Sequence, residues 1–557
     1  MVKQFSRRDF IKACSCAGFG LVLGCSVRNR FDMIIRNGMI FDGTGSPALN
    51  ADIAIKGNKI AAINDLSAAT ADFIIDATGM VVSPGFIDIH THTDIELLVN
   101  PYAESKIFQG VTTEVAGNCG YSPFPLSEAD FKTLDQGLVE KYGIHASWNN
   151  ADQFLSTLTQ QKISINYATF TGHGNLRSYV VGKNDVAPTS EQLDLMKRLL
   201  AESMDQGSFG LSTGLEYAPG SYANTDELIE LCREVSRRNG IYATHIRNED
   251  DFVEEAVEEA LKICRNAKVS TEISHLKACN PNNWHKEEIL LRRIEQASGA
   301  GMPIHADRYP YIAYGTGLSI FLPLWSRQGE TEEIISRLQD KALLPDIKSY
   351  VESHGAKIGG WDRVMISSCF SEKNRIWEGM TIKECAEHIG KKPFEFIREI
   401  LIEEKNRVDI VGFAMNEENL KKVLSHPLVM IGSDGNAISP TGKLAEGKPH
   451  PRYYGTFPRV LGKYCREENL FDLATAIKKM TSMPAEKLGL KKRGYLREGY
   501  FADITIFNPE TIVDTATFVK PHQLPVGIEY VIVNGKVTIK NGKHTGELAG
   551  EILRNSA

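Results

Sequence analysis

"PGFIDIHTHTD", Pro84 to Asp94, is the stretch that decides the fold. A Pro-Gly turn opens it, and Phe86, Ile87 and Ile89 are β-formers. It then places His90 and His92 two residues apart at its polar end. In a strand, residues i and i+2 point to the same side. Both imidazoles therefore aim at one point beyond the strand's carboxyl end.

Other strand candidates end in the same way. They are "VTTEVAGNCG", "INYATFTGHG", "GSFGLSTGLEY", "GIYATHIRNED", "STEISHLKAC", "MPIHADRYPY" and "LVMIGSDGN". Between most of them lie helical patterns such as "TDELIELCREVSRRNG" and "VEEAVEEALKICRNA". Eight strands alternating with helices predict an α/β fold, a (β/α)8 TIM-like barrel over residues 83–483. The link between the seventh and eighth strands, residues 313–425, is longer than one helix needs. It is expected to be an inserted lid subdomain. Short alternating strands stand at both ends of the chain, among them "DMIIRNGMIFDG" and "ADITIFNPE". They predict a small β-sandwich domain built from residues 32–82 and 484–548.

A chain of 557 residues suits a large barrel with a smaller module. Its net charge is −7 with no basic block, so there is no nucleic-acid footprint. No apolar run beyond the leader is long enough for a membrane helix. Residues 1–25 read as an export signal, "SRRDFIK" followed by the short apolar "ACSCAGFGLVLGC". Arg7 and Arg8 resemble a twin-arginine signal, which implies the twin-arginine export machinery as a partner and a periplasmic location. "LVLGC" resembles a lipoprotein cleavage box. It makes Cys25 a candidate lipid anchor and leaves open whether the chain is membrane-anchored. Seven of the ten cysteines lie beyond the leader without paired spacing, so no disulfide framework is expected.

Barrel active sites sit at the carboxyl ends of the strands. Strand one ends with His90 and His92, strand two with Cys119, strand five with His245, strand six with His275 and strand eight with Asp434. Singly, each reads as a structural histidine, an inert cysteine or a turn aspartate. Gathered on one rim, the set predicts a metal site. Thiolate with imidazole favours zinc. A catalytic zinc brings its water's pKa to roughly 7, so that hydroxide can attack an amide carbonyl. Asp434 is the candidate base and acid for that water. His173 and His305, also expected on strands, are candidates for an outer role only. His354 and His388 are read as surface residues.

These motifs resemble the amidohydrolase superfamily and, within it, the D-aminoacylase (N-acyl-D-amino-acid deacylase) family. The matching stretches include "VVSPGFIDIHTHTD", "GVTTEVAGNCGYSP", "GLSTGLEYAPG", "PHPRYYGTFPRVL" and "GYLREGYFADITIFNP". The resemblance implies a tight zinc site at Cys119, His245 and His275 and a second, weaker metal position at His90 and His92. It implies Asp434 as general base and acid, with Lys277, Arg452 and Tyr309 holding a substrate carboxylate. The implied reaction is hydrolysis of an N-acyl-D-amino acid to a carboxylate and a free D-amino acid. A cyclic amide hydrolase of the hydantoinase kind and a non-catalytic exported binding lipoprotein are the competing readings. Two departures from the family pattern bear on substrate preference. The loop from Asn436 to Pro449 is long, and Gly315 stands where a hydroxyl is expected.

Overall fold

The computed structural model describes residues 30–555; the leader expected over residues 1–25 lies outside them. Eight short strands form the centre. They are β1 (Phe86–Asp88), β2 (Val111–Ala116), β3 (Asn166–Thr169, continued by Thr171–Gly172), β4 (Gly210–Gly214), β5 (Ile241–His245), β6 (Ser270–Ile273), β7 (Ile304–Arg308) and β8 (Val429–Ile431). Each pairs parallel with the next. The ring closes just past the strand ends, where Thr91 and Gly435 form a parallel bridge and the Asp434 N–H donates to the His90 carbonyl at 2.8 Å. Ile87, Ile89, Val115, Ala168, Phe170, Ala243 and Met430 fill the interior.

The helices pack outside because their apolar positions fall on one stripe. The helix Thr225–Arg237 is capped by the Asn224 side chain, which accepts from the Glu227 N–H, and it buries Leu228, Leu231, Cys232 and Val235. Each such aliphatic side chain contributes about 1.5–3 kcal/mol on burial. All seven cysteines among the described residues are free, and six are buried.

Both chain ends meet in one seven-stranded sheet. There Ile504–Phe507 pairs with Val81–Pro84, and Met39–Ile40 lies on the far side of that strand. A second sheet of four strands comes wholly from the amino-terminal segment. Ile35, Ile53, Ile55, Val82, Ile504 and Ile532 form the apolar layer between the two.

The long link after β7 carries its own three-stranded antiparallel sheet, Tyr314–Gly317, Val408–Gly412 and Val364–Cys369. Four helices and a separate core that includes Ile347, Val351, Ile366, Ile397, Leu401 and Ile410 complete it. The last helix of the link, Glu417–Ser425, buries Val423 against the barrel helices instead. That closing helix of the link packs with the barrel.

Candidate active site

The strand ends bring the expected donors together. His90 and His92 follow β1 on one side of the chain, their ring centroids 5.5 Å apart. The Cys119 Sγ lies 3.4 Å from His90 Nε2 and 3.4 Å from His275 Nε2. His245 Nδ1 is 3.1 Å from His275 Nε2. Asp434 Oδ1 is 2.9 Å from His92 Nε2 and 3.5 Å from His90 Nε2. Donor atoms of His90, Cys119, His275 and Asp434 all lie within 4.8 Å of one another and all four residues are buried. His245 gathers instead with His275 and Glu249. His90 thus stands with the thiol, where the family pattern sorts it with His92.

The backbone is bent to make this cluster. Cys119, His275 and Asp434 all have positive φ, at 50°, 36° and 50°. Non-glycine residues in that region cost about 1–3 kcal/mol each and persist where the surroundings over-determine them. The "GNCG" turn is held by contact with β4. A Cβ on Gly214 would sit 2.1 Å from the Cys119 carbonyl, and one on Gly120 2.7 Å from the Gly214 nitrogen. Only glycine allows the two backbones so close.

Three of the four imidazoles are fixed by the far nitrogen. His90 Nδ1 meets Asp307 Oδ2 at 3.0 Å, and Asp307 Oδ1 accepts the His275 N–H at 3.0 Å. His275 Nδ1 lies 3.0 Å from Glu249 Oε1, and His245 Nε2 lies 3.4 Å from Glu216 Oε2. This leaves the near nitrogens of His90 and His275 facing the thiol, the outer-carboxylate pattern of metal-ligating histidines. Burial pushes the Cys119 thiol up, but His90, His275 and His92 push it down further, and the net result is well below its usual range. Asp434 behaves alike: burial raises its carboxyl, Arg452 and His275 lower it more, and it stays ionised. A thiolate, imidazoles and a carboxylate converging in a buried pocket fit a zinc ion by donor chemistry.

The cluster forms one wall of a cavity of about 680 Å³. Arg452, Tyr309 and Lys277 line it too. The Arg452 Nη1 is 2.9 Å from Asp434 Oδ2, but its Nε and Nη1 have no aligned acceptor. The Tyr309 hydroxyl is buried without a partner, and the guanidinium lies 4.6 Å over its ring. These unpaired donors beside the metal ligands suit an anionic group of a ligand. Lys277, like Arg452, has a carboxylate partner. Its Nζ is ion-paired to Glu249 and donates to the His275 carbonyl at 3.2 Å, so its charge is already matched.

Of the other histidines, His173 begins the helix His173–Val180 and is not on a strand. Its Nε2 meets Glu227 Oε1 at 2.8 Å, outside the cavity. His305 lies in β7, where burial and Lys487 lower it to about 4. The carboxylate that serves the site is Asp307, two residues on along the same strand face and nearer the rim. His354 is half-buried and lines the cavity from the inserted helix Leu344–Lys357, stacked on Tyr350 at 3.9 Å. His388 is exposed. Sequence reasoning missed Asp307, Glu249 and Glu216. Strand alternation could have found Asp307; no local pattern marks the other two.

Comparison with known proteins agrees with this geometry. The amidohydrolase family model matches residues 74–231 and 346–539. The D-aminoacylase of Alcaligenes xylosoxydans xylosoxydans is 37% identical over 529 residues, 95% of this chain and 98% of that protein. The chain belongs to the amidohydrolase family, in its D-aminoacylase group. This amidohydrolase is thus a hydrolase of linear amide bonds by family. A solved N-acyl-D-glutamate deacylase from Bordetella bronchiseptica, complexed with zinc and a phosphonate mimic of the tetrahedral intermediate, superposes with a TM-score of 0.79. It is 32% identical and covers 94% of this chain and 100% of its own. A D-aminoacylase structure described as having a binuclear centre, activated by one metal and attenuated by a second, is 35% identical, covers the same shares and gives the same TM-score.

Proposed function

We propose that this amidohydrolase cleaves the amide bond of N-acyl-D-amino acids with zinc bound at the Cys119 cluster. The observation that carries the reading is the pairing, in one cavity, of buried metal donors with the unpartnered Arg452 Nε and Tyr309 hydroxyl. Cys119, His245 and His275 would hold the ion and leave a fourth position for water, with His90 and His92 available to a weaker second one. Zinc in such a site polarises the carbonyl and acidifies water.

The chain's own groups do the rest. Arg452 presents a fork to the substrate's α-carboxylate, and the Tyr309 hydroxyl donates beside it. That fixes the scissile amide next to Asp434. Held ionised, Asp434 takes a proton from the attacking water at Oδ1 as the C–O bond forms. It returns that proton to the leaving nitrogen as the C–N bond breaks, giving a carboxylate and an amine. Glu249 neutralises Lys277 and steadies His275.

The leader pattern supports a twin-arginine-exported, periplasmic enzyme, with Cys25 as a candidate anchor. Fractionation of cells expressing the full chain and an Arg7→Lys, Arg8→Lys variant tests it; equal periplasmic activity would end that reading.

The test of function is the purified zinc-loaded protein on panels of N-acetyl-D- and N-acetyl-L-amino acids, scored for free amine. Release from D-substrates alone is expected. No release from either panel, with cyclic amides opened instead, would overturn the reading.

A further inference from the structure

Asp434 has a positive φ of 50°, a conformation aspartate tolerates better than most residues but adopts uncommonly. Something must keep the Ser433–Gly435 turn in place. A lysine outside the cavity contacts both sides of it.

Lys106 sits in the short helix Glu104–Ile107 and is fully buried. An ammonium has three donors and no acceptor, and all three are used. The Nζ donates to Asp88 Oδ2 at 3.0 Å, to the Ser433 hydroxyl at 2.6 Å and to the Gly435 carbonyl at 2.8 Å. Two of the three acceptors are the residues on either side of Asp434. The third is at the end of β1, two residues before His90. Asp88 completes the link, since its Oδ1 accepts the Ser433 N–H at 2.8 Å. The same Gly435 carbonyl accepts the His92 N–H at 3.2 Å, and the Ser433 hydroxyl accepts the Gly435 N–H at 3.2 Å. Lys106 therefore joins the turn that carries the base to the strand that carries two metal ligands.

We infer that Lys106 is a positioning residue for the general base, clamping the Ser433–Gly435 turn so that the Asp434 carboxylate faces His92 and Arg452. The inference rests on the proposed role of Asp434. Its alternative is a purely structural ion pair with Asp88. Any fully buried ammonium must satisfy three donors; what singles this one out is that two of its acceptors, Ser433 and Gly435, flank Asp434. A misplacement of about 1 Å in a reacting group costs on the order of 10²-fold in rate.

The test uses the full zinc-loaded protein. Lys106→Met is expected to lower kcat about 10²-fold on N-acetyl-D-amino acids, with KM within about twofold and zinc content unchanged. In an Asp434→Asn background the same change should cost less than about twofold, because the group it positions is gone. An equal loss in both backgrounds overturns the inference, as does a kcat within twofold of the parent. Should Lys106→Met not fold, Ser433→Ala removes one acceptor while leaving the Asp88 pair intact. It is expected to lose several-fold in kcat only where Asp434 is present; an unchanged kcat refutes the clamp. A crystal structure of either variant is a readout independent of activity. The turn should leave its left-handed conformation and the Asp434–Arg452 contact should open. An Asp434 that stays put sinks the clamp, whereas a parent enzyme inactive on every D-substrate sinks the functional reading instead.

Discussion

Two buried assemblies in this chain have the same parts. In one, Glu227 offers Oε1 to His173 and Oε2 to Arg177. In the other, Asp434 offers Oδ1 to His92 and Oδ2 to Arg452. Each is a carboxylate bridging an imidazole and a guanidinium. What differs is their surroundings. Glu227 lies in the first turn of a regular, capped helix, and none of its trio lines the main cavity. Asp434 sits on a left-handed turn, faces the cavity, and has a thiol and a second imidazole within reach. The first assembly is built to stay closed; the second keeps strain and open donors at a surface a ligand can enter. Function here is a property of placement, not of residue type.

The largest effect that separates the two is on turnover. Asp434→Asn should lower kcat about 10³-fold, since the water loses its base, while the zinc is retained. Glu227→Gln should leave kcat within about twofold. Steady-state rates with metal analysis on both variants decide it. Comparable losses would mean that the Glu227 trio takes part in catalysis.

The second effect is on stability, and it should run the other way. Glu227→Gln leaves the Arg177 charge buried without its counter-ion, which costs about 3 kcal/mol. Denaturant unfolding of metal-free protein measures it; a cost under about 1 kcal/mol would make the pair dispensable. The pH dependence follows with a definite sign. Burial raises the Glu227 carboxyl, but His173 and Arg177 lower it more, and it ends below its ordinary value of 4.5. A depressed carboxyl releases its proton more readily folded than unfolded. Its stabilisation is therefore complete above about pH 4.5 and fades as the pH falls below that. In Glu227→Gln that part of the acid limb should be absent.

The contrast also explains what could be read from the sequence. His90, His92, Cys119, His245, His275 and Asp434 were legible because each ends a strand, and a parallel barrel gathers strand ends on one rim. Alternation supplied the aim of His90 and His92. Asp307 was within reach of strand alternation, but Glu249 and Lys106 were not legible, because they act through partners between 18 and 329 positions away. His173 and Arg177 stand four apart on one helix face, yet nothing local reveals that Glu227 closes over them. His354 falls on a partly exposed helix face, and only the docking of the inserted unit turns that face toward the cavity.

A third effect concerns the guanidinium that Asp434 shares with the ligand. Arg452→Lys keeps the charge but removes the fork, so binding of the carboxylate should weaken by about 1.5–3 kcal/mol. KM for N-acetyl-D-amino acids should rise by one to two orders of magnitude, with a smaller change in kcat. The matching change at the closed assembly, Arg177→Lys, should leave KM alone. A higher KM in both variants would erase the distinction between an open and a closed guanidinium.

The smallest expected effect sharpens the open assembly further. A Cβ on Gly315 would lie 3.6 Å from Arg452 Nη2 and 3.8 Å from His450 Cβ, ordinary contact with nothing displaced. Gly315→Ser would therefore add a hydroxyl next to the fork without moving it. One neutral-to-charged hydrogen bond contributes about 1.5–3 kcal/mol when aligned, less when water competes. KM should fall several-fold for substrates that carry a free α-carboxylate, and stay the same for their amides, which lack the anion. A fall for both would show the hydroxyl meeting some other part of the ligand, and would place the carboxylate elsewhere in the cavity than against Arg452.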